Sequence, residues 1–429
     1  MDYSSLFREE YGRIVAALTR LLGVEQMSLA EDIAQDSLLQ AMQSWKYGKM
    51  PDQPAAWLHR VARNKAIDYL RRQQRFRKIS RQLTGQHPEQ YEMEQWVDQC
   101  FLPGEISDSQ LRMIFAACHP SIAPESQVAF VLRTLCGLNV DEIAQAFLTN
   151  AETISKRIYR AREKIRSSPQ ELSVPQGAEL QQRLDVVLKA IYLLFNEGYL
   201  SSHPVQLVRE DLCREAMRLC HLLLEHKHTA ASRCKALMAL MCFQASRLPA
   251  RTDEQDQLVL LQDQNRNLWF QPLIQKGFEY LQAAMESNEH SSYHLEACIA
   301  SWHAAAPSFA QTNWTAIHEL YGRLYQINPS PFVAMNKAIA AGYCFGPEHC
   351  HRELLEIKGM EQQHLYQAAL GQALLDLNQV EQSLQHFALA LHFCRGHAES
   401  VLLQQKIELC KKRLIPTFAD ATDRSKNQA

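Results

Sequence analysis

Apolar residues recur every three or four positions along nearly the whole chain, and two-residue alternation is scarce. That period restricts the chain to helices, because a strand half buried in a sheet needs a period of two. Only 15 of the 429 residues are Gly, which is few for the many turns of a β-sandwich or barrel. The expected fold class is all-α. A chain this long accommodates two or three domains. No uncharged apolar run reaches the roughly 18–20 residues of a membrane span, and Met1-Asp-Tyr-Ser-Ser does not open a secretory leader. The twelve Cys include no CxxC pair, and Cys136, Cys213, Cys220, Cys242 and Cys410 fall on apolar helical positions. They read as reduced core residues of a cytoplasmic protein.

Charge is distributed locally. Residues 1–168 hold 22 Lys or Arg against 20 Asp or Glu, and the remainder holds 23 against 27. From Trp57 to Arg81, nine basic residues (60, 63, 65, 71, 72, 75, 77, 78 and 81) face one acid, Asp68. A helix that basic, with an aromatic residue at its root, is expected to bind a polyanion. Pro54 suits its first turn. Asn64, Asp68 and Arg71 share one face at i, i+4, i+7, with Trp57, Val61, Ile67 and Leu70 expected inward. An amide, a carboxylate and a guanidinium together can bind base edges, while Arg60, Arg63, Arg72 and Arg75 anchor phosphates. With the neighbouring loop and its Tyr47, this face could hold an unstacked base.

The preceding segments are of opposite character. Leu6, Phe7, Ile14, Val15, Leu18, Leu21 and Leu22 form one helical stripe that ends at Gly23. Ser28-x-x-Glu31 reads as a capping box starting a helix at Leu29, with Ile33, Leu38 and Met42 as its apolar contacts and Trp45 at its end. Glu31, Asp32, Gln35 and Asp36 lie toward the other side, as a solvated face or a protein-binding one.

The run Ala30-Glu-Asp-Ile-Ala-Gln-Asp-Ser-Leu, with Pro54-x-x-Trp57-Leu and Val61-Ala-Arg-Asn64-x-x-x-Asp68-x-x-Arg71-Arg72, resembles region 2 of bacterial RNA polymerase sigma factors. The likeness is to the extracytoplasmic-function type of the sigma-70 family. It implies that Asp32, Gln35 and Asp36 contact the clamp helices of the largest polymerase subunit. It implies that Tyr47, Asn64, Asp68, Arg71 and Arg72 contact the promoter −10 element. Residues 82–106, with Glu89, Glu92, Glu94, Asp98 and Glu105, read as an acidic linker broken by Gly and Pro. In the family a non-helical connector lies here.

Residues 107–168 carry a second basic element. Pro124 opens a helix that Gly137 stops, Asn139-x-x-Glu142 caps the next, and Thr149-x-x-Glu152 is expected to cap a third. Two short helices joined by a tight turn form a helix-turn-helix. In the third helix Ile154, Ile158, Ala161 and Ile165 make the buried stripe, leaving Ser155, Lys156, Tyr159, Arg160 and Arg162 outward, Arg157 at the edge and Thr153 at the N-terminal turn. This segment resembles sigma region 4, which implies −35 contacts by Thr153, Ser155, Lys156, Arg157, Arg160 and Arg162, and a dock on the polymerase flap region. Glu152 stands where the family usually has Gly, and Asn150 where Ser is commoner, so the typical −35 sequence does not carry over.

Residues 169–429 continue as amphipathic helices. Leu370, Gly371, Leu374, Phe387 and Ala390 take the spacing of one tetratricopeptide repeat, with Ser383 where Ala is typical. A weaker repeat covers Pro331 to Ile357. The whole chain resembles the sigma factors with a long tetratricopeptide-like extension, for which the resemblance implies regulation in cis and leaves a protein or ligand partner of the extension open. Three polar-aromatic stretches stand out there: Asn196-Glu-Gly-Tyr199, Asp263 to Trp269, and Trp302-His303. Their plain readings are a helix cap, a loop and a packed histidine. Cys344, His349, Cys350 and His351 fit no standard zinc spacing, so no metal and no cofactor is expected. No paired nucleophile and base, phosphate loop or metalloprotease motif is present, and no enzyme is expected. The alternative function is a helix-turn-helix regulator with a helical sensing domain and no polymerase contact.

Overall fold

The computed structural model describes residues 4–47, 50–80, 90–147, 149–167, 173–200, 208–255, 257–394 and 396–414. They form nineteen α-helices and no strand, the sole β pairing among them being an isolated bridge between Thr252 and Leu258. No helix of the described residues is long and apolar enough to cross a membrane. The chain divides into two compact units, Met1–Gly198 with Asp211–Ala230, and Tyr199–Glu210 with Ala231–Ala429.

The first unit opens with α1 (Ser4–Leu22), whose Ile14, Val15 and Leu18 are fully buried. Gly23, at φ +91°, ends it in a backbone conformation that a β carbon would strain. A short 3₁₀ turn, Val24–Gln26, leads into α2 (Met27–Tyr47). The helix therefore starts two residues before the expected Leu29, which puts Ser28 inside it rather than at its cap, and Glu31 is engaged by Arg162. Next come α3 (Pro54–Ser80), α4 (Gln90–Cys100), α5 (Pro103–Ala117), α6 (Pro124–Thr134), α7 (Val140–Ala146), α8 (Ala151–Ser167), α9 (Gly177–Tyr199) and α10 (Glu210–Glu225).

Two expectations change here. Residues 82–106 are not a plain linker, since α4 and the first turn of α5 lie within them, and burial of Val97 and Cys100 gives α4 an apolar anchor. The edge of the compact unit also does not fall at 168/169. Arg183 of α9, 5% exposed, donates to the Phe115 carbonyl of α5 at 3.2 Å, and Arg218 of α10 donates to Gln110. Arg8 of α1 pairs with Asp211 at 2.9 Å.

The second unit holds α11 (Ser232–Ala245), α12 (Gln271–Met285), α13 (Ser292–Ala305), α14 (Trp314–Ile327), α15 (Pro331–Phe345), α16 (Pro347–Leu355), α17 (His364–Asp376), α18 (Val380–Phe393) and α19 (His397–Leu414). From α13 onward each helix packs on its chain neighbours. The repeat spacing has a steric cause. A β carbon on Gly371 would stand 2.9 Å from the Phe387 ring, so the small residue lets α17 and α18 close up. Ser383 replaces the usual Ala without an orphaned hydroxyl, because its Oγ donates to the Gly371 carbonyl at 2.7 Å. The weaker repeat obeys the same rule, with Gly342 against Cys350 and with Ala338 and Leu354 in one buried cluster.

Candidate polymerase and nucleic-acid surfaces

On α2, Ile33 is buried, while Asp32, Gln35 and Asp36 are exposed. Met42, expected inward, is 53% exposed, and Leu39 is 54% exposed. Helical spacing puts both on the same stripe as the acids. The stripe is therefore both acidic and apolar, a composition that a partner protein could cover. The pair Lys65–Asp36, at 3.8 Å between a half-buried and an exposed group, is too weak to hold that face closed.

On α3, Asn64, Asp68, Arg60 and Arg72 are exposed. Leu58, Ala62 and Ala66 form the buried stripe together with Ile67, and Trp57, Val61 and Leu70 are only half buried. Small residues let α3 pack closely, a role that hydrophobicity alone understates. Two of the basic side chains are held by α4. Arg71 pairs with Glu94 at 2.5 Å, and Arg63 pairs with Asp98 while also donating to Asn64. Glu94 and Asp98 are four residues apart on one helix face, so these two of the acids expected in a linker lie along the basic helix, while Glu105 pairs with Arg20 of α1. The side chains of Tyr47, Arg75, Arg77 and Lys78 lie outside the described residues, as does Arg81.

The helix-turn-helix forms as expected with one change of cap. Asn139 and Glu142 satisfy each other's backbone N–H groups at 2.8 and 2.7 Å, a capping box at the start of α7. The cap of α8 is Asn150, whose Oδ1 accepts from the Thr153 N–H at 2.8 Å, and not Thr149. Ile154, Ile158, Ala161 and Ile165 are buried, and Ser155, Lys156, Tyr159 and Arg160 are exposed. Thr153 is half buried, and Arg157 lies over the Phe147 ring at 5.8 Å. Lys156 pairs with Glu152 at 2.6 Å in the open.

Arg162 does not face outward freely. Its Nη2 donates to both Glu31 oxygens at 2.6 Å, joining α8 to α2. Burial raises the Glu31 pKa and Arg162 opposes it, with burial prevailing. The contact continues at α1. A β carbon on Gly12 would fall 2.0 Å from the Leu135 carbonyl oxygen at the end of α6, so only glycine permits this approach. Arg8 adds a 3.2 Å bond to Glu142 of α7. Sequence periodicity cannot show these partners, because they are over a hundred residues apart along the chain. Replacing Glu31 by Ala is expected to lower stability by roughly 1–3 kcal/mol in urea unfolding, less than a wholly buried pair because Arg162 keeps some solvent. A change near zero would mean that the pair does not persist in solution.

Cys350 packs against Gly342, and His349 bonds Arg352. His364, Cys394 and Glu399 bring possible ligand atoms within 4.8 Å of one another, with His364 3.3 Å from Glu399 and the Cys394 thiol donating to the Gly396 carbonyl.

Comparison with known proteins matches residues 6–76 to Sigma-70 region 2 and residues 112–165 to Sigma-70, region 4. Residues 183–285 match a family of unknown function (DUF6596). An uncharacterized protein of Rhizobium meliloti (strain 1021) is 35% identical over 324 residues, 75% of each chain. The ECF RNA polymerase sigma factor SigE of Mycolicibacterium smegmatis is 29% identical over 166 residues, 38% of this chain and 60% of that one. The ECF RNA polymerase sigma-E factor of Haemophilus influenzae is 27% identical over 172 residues, 40% of this chain and 88% of that one.

Proposed function

This chain belongs to the sigma-70 family as a sigma factor of the extracytoplasmic-function type that directs transcription initiation, and on that premise we propose how its surfaces divide the work. Residues 1–81 act as region 2. The α2 face of Asp32, Gln35, Asp36, Leu39 and Met42 docks on the clamp helices of core RNA polymerase. Asn64, Asp68, Arg71 and Arg72, with Tyr47, engage the −10 element. Residues 107–168 act as region 4, with Ser155, Lys156, Arg157 and Arg160 reading the −35 element and Thr153 at the N-terminal turn. Residues 169–429 regulate these activities in cis, and the protein works in the cytoplasm without catalysing a reaction of its own.

The observation that carries this division is the exposed acidic-and-apolar stripe on α2 beside the basic α3. It supports the polymerase reading over a free-standing helix-turn-helix regulator, which needs no such stripe. Arg71, Arg63 and Arg162 are held by Glu94, Asp98 and Glu31. Promoter binding on this reading exchanges carboxylates for phosphates, and affinity then falls steeply with salt.

Run-off transcription with core polymerase on a genomic fragment library tests the division. Arg160→Ala is expected to cut initiation roughly five- to a hundredfold and leave core binding unchanged, since one good base contact carries about 1–3 kcal/mol. Asp36→Ala is expected to weaken core binding first. Loss of core binding in the Arg160 variant would reverse the assignment, and failure of the parent protein to bind core would leave only the DNA-binding regulator.

A further inference from the structure

The polar-aromatic stretches around Tyr199, Asp263–Trp269 and His303 are far apart in sequence, yet the second unit gathers residues of all three around three arginines. The Arg251 guanidinium lies 3.7 Å from the Tyr199 ring centroid. Arg247 and Arg266 lie 5.4 and 4.4 Å from the Trp269 ring centroid. Arg251 is 7% exposed and Trp269 3%.

Their neutral partners are few. Arg247 Nε donates to Gln264 at 3.2 Å, and Arg266 Nη1 donates to the His303 and Ala306 carbonyls at 2.6 and 2.7 Å. Among the described residues, none of the three guanidiniums pairs with a carboxylate. The buried donors Arg251 Nε, Arg266 Nη2 and Trp269 Nε1 have no acceptor, and His303 Nδ1 is likewise unbonded. A carbonyl and a ring face offset part of the cost of burying a cation, but leave the repulsion among three of them uncompensated. The same charges act on their neighbours. Burial first, and then Arg247 and Arg266, push the His303 pKa down to about 4, so the imidazole adds no further charge. Arg247 is itself lowered by burial and by Arg251, against an opposing effect of Tyr199.

Ordinary packing does not require this arrangement. A structural arginine normally has an acid or a full set of carbonyls, because leaving a buried donor unsatisfied forfeits its hydration with nothing in return. Planar guanidinium forks match the oxygens of a phosphate or carboxylate, and an anion among them would satisfy the charges and the orphaned donors together. We propose that Arg247, Arg251, Arg266 and Trp269 form a binding site for a small oxyanion of the phosphate class. The site gives the extension a chemical input. Its link to transcription rests on the regulatory reading above, but binding itself does not, so the two can fail separately.

The test uses the full-length protein without polymerase, with inorganic phosphate and glycerol 3-phosphate as probes. Isothermal titration is expected to show saturable binding in the submillimolar range, accompanied by movement of the Trp269 indole N–H resonance, assigned with Trp269→Phe. Tighter binding of the ester identifies a phosphorylated metabolite, and equal binding identifies free phosphate. Arg251→Gln with an unchanged circular dichroism spectrum is expected to weaken binding at least tenfold. An equal affinity in that variant overturns the site. Should the variant not fold, the indole resonance of the parent protein decides: no shift at saturating phosphate, or a response that grows linearly to tens of millimolar as general salt effects do, overturns it as well.

Discussion

Gly12→Ala is expected to destabilise the first unit by about 3 kcal/mol or more, although helix propensity alone favours Ala over Gly by about 1 kcal/mol. The two effects have opposite signs, which makes the substitution decisive. The added β carbon would fall 2.0 Å from the Leu135 carbonyl oxygen, and the obstacle is backbone rather than the flexible end of a side chain. Relief requires α1 to move off the turn after α6, and the Arg8–Glu142 pair then lengthens with it. Urea unfolding should show the lowered midpoint, and small-angle scattering a larger radius of gyration. Gly104→Ala is the control, because nothing lies within 4 Å of a β carbon there. If Gly12→Ala leaves stability unchanged or raises it, α1 and the helix-turn-helix do not meet in solution.

A chain cut after Ser168 is expected to lose cooperative unfolding, whereas one cut after Ala230 keeps it. The sequence boundary at 168 looks natural, with Ser167, Ser168 and Pro169 after the basic helix. The compact unit nonetheless includes α9 and most of α10. Leu184, Val187, Leu188, Ile191, Leu194 and Phe195 of α9 are each 2% exposed or less, and Leu212, Leu219 and Leu223 of α10 no more than 1%. Each such side chain contributes about 1.5–3 kcal/mol of burial, so losing the set outweighs the ~5–15 kcal/mol by which a domain is stable. Arg183 and Arg218 would also leave the Phe115 carbonyl and Gln110 without these partners. Thermal melts followed by circular dichroism compare the two. A sharp transition in the shorter chain would show that α9 and α10 are dispensable to the fold. The result also bears on cis regulation, because removing everything after Ser168 takes away part of the first unit together with the extension.

Much of the local structure was legible in order. Ile154, Ile158, Ala161 and Ile165 are buried where their period places them, and Asn139 with Glu142 caps as their spacing requires. Gly371 and Phe387 meet as the repeat spacing implies. Errors arose where a polar residue had two competing uses. Glu31 could close a capping box or leave it for a distant arginine, and a guanidinium is the stronger partner once both are withdrawn from water. Met42 could be core or surface, and local periodicity does not say which side of an amphipathic helix a partner covers.

The sequence by itself determined the helices, the basic faces of α3 and α8, the acidic face of α2 and the repeat pairing in the extension. Each depends on residues within one or two turns or one hairpin, where spacing alone puts side chains together. Tertiary structure decided which charges are occupied and which are left over. Arg162 found Glu31 and Arg71 found Glu94, while Arg247, Arg251 and Arg266 were brought together without an acid among the described residues. Those outcomes depend on long-range packing, since ion pairing and desolvation act through distances in space that sequence separation does not encode.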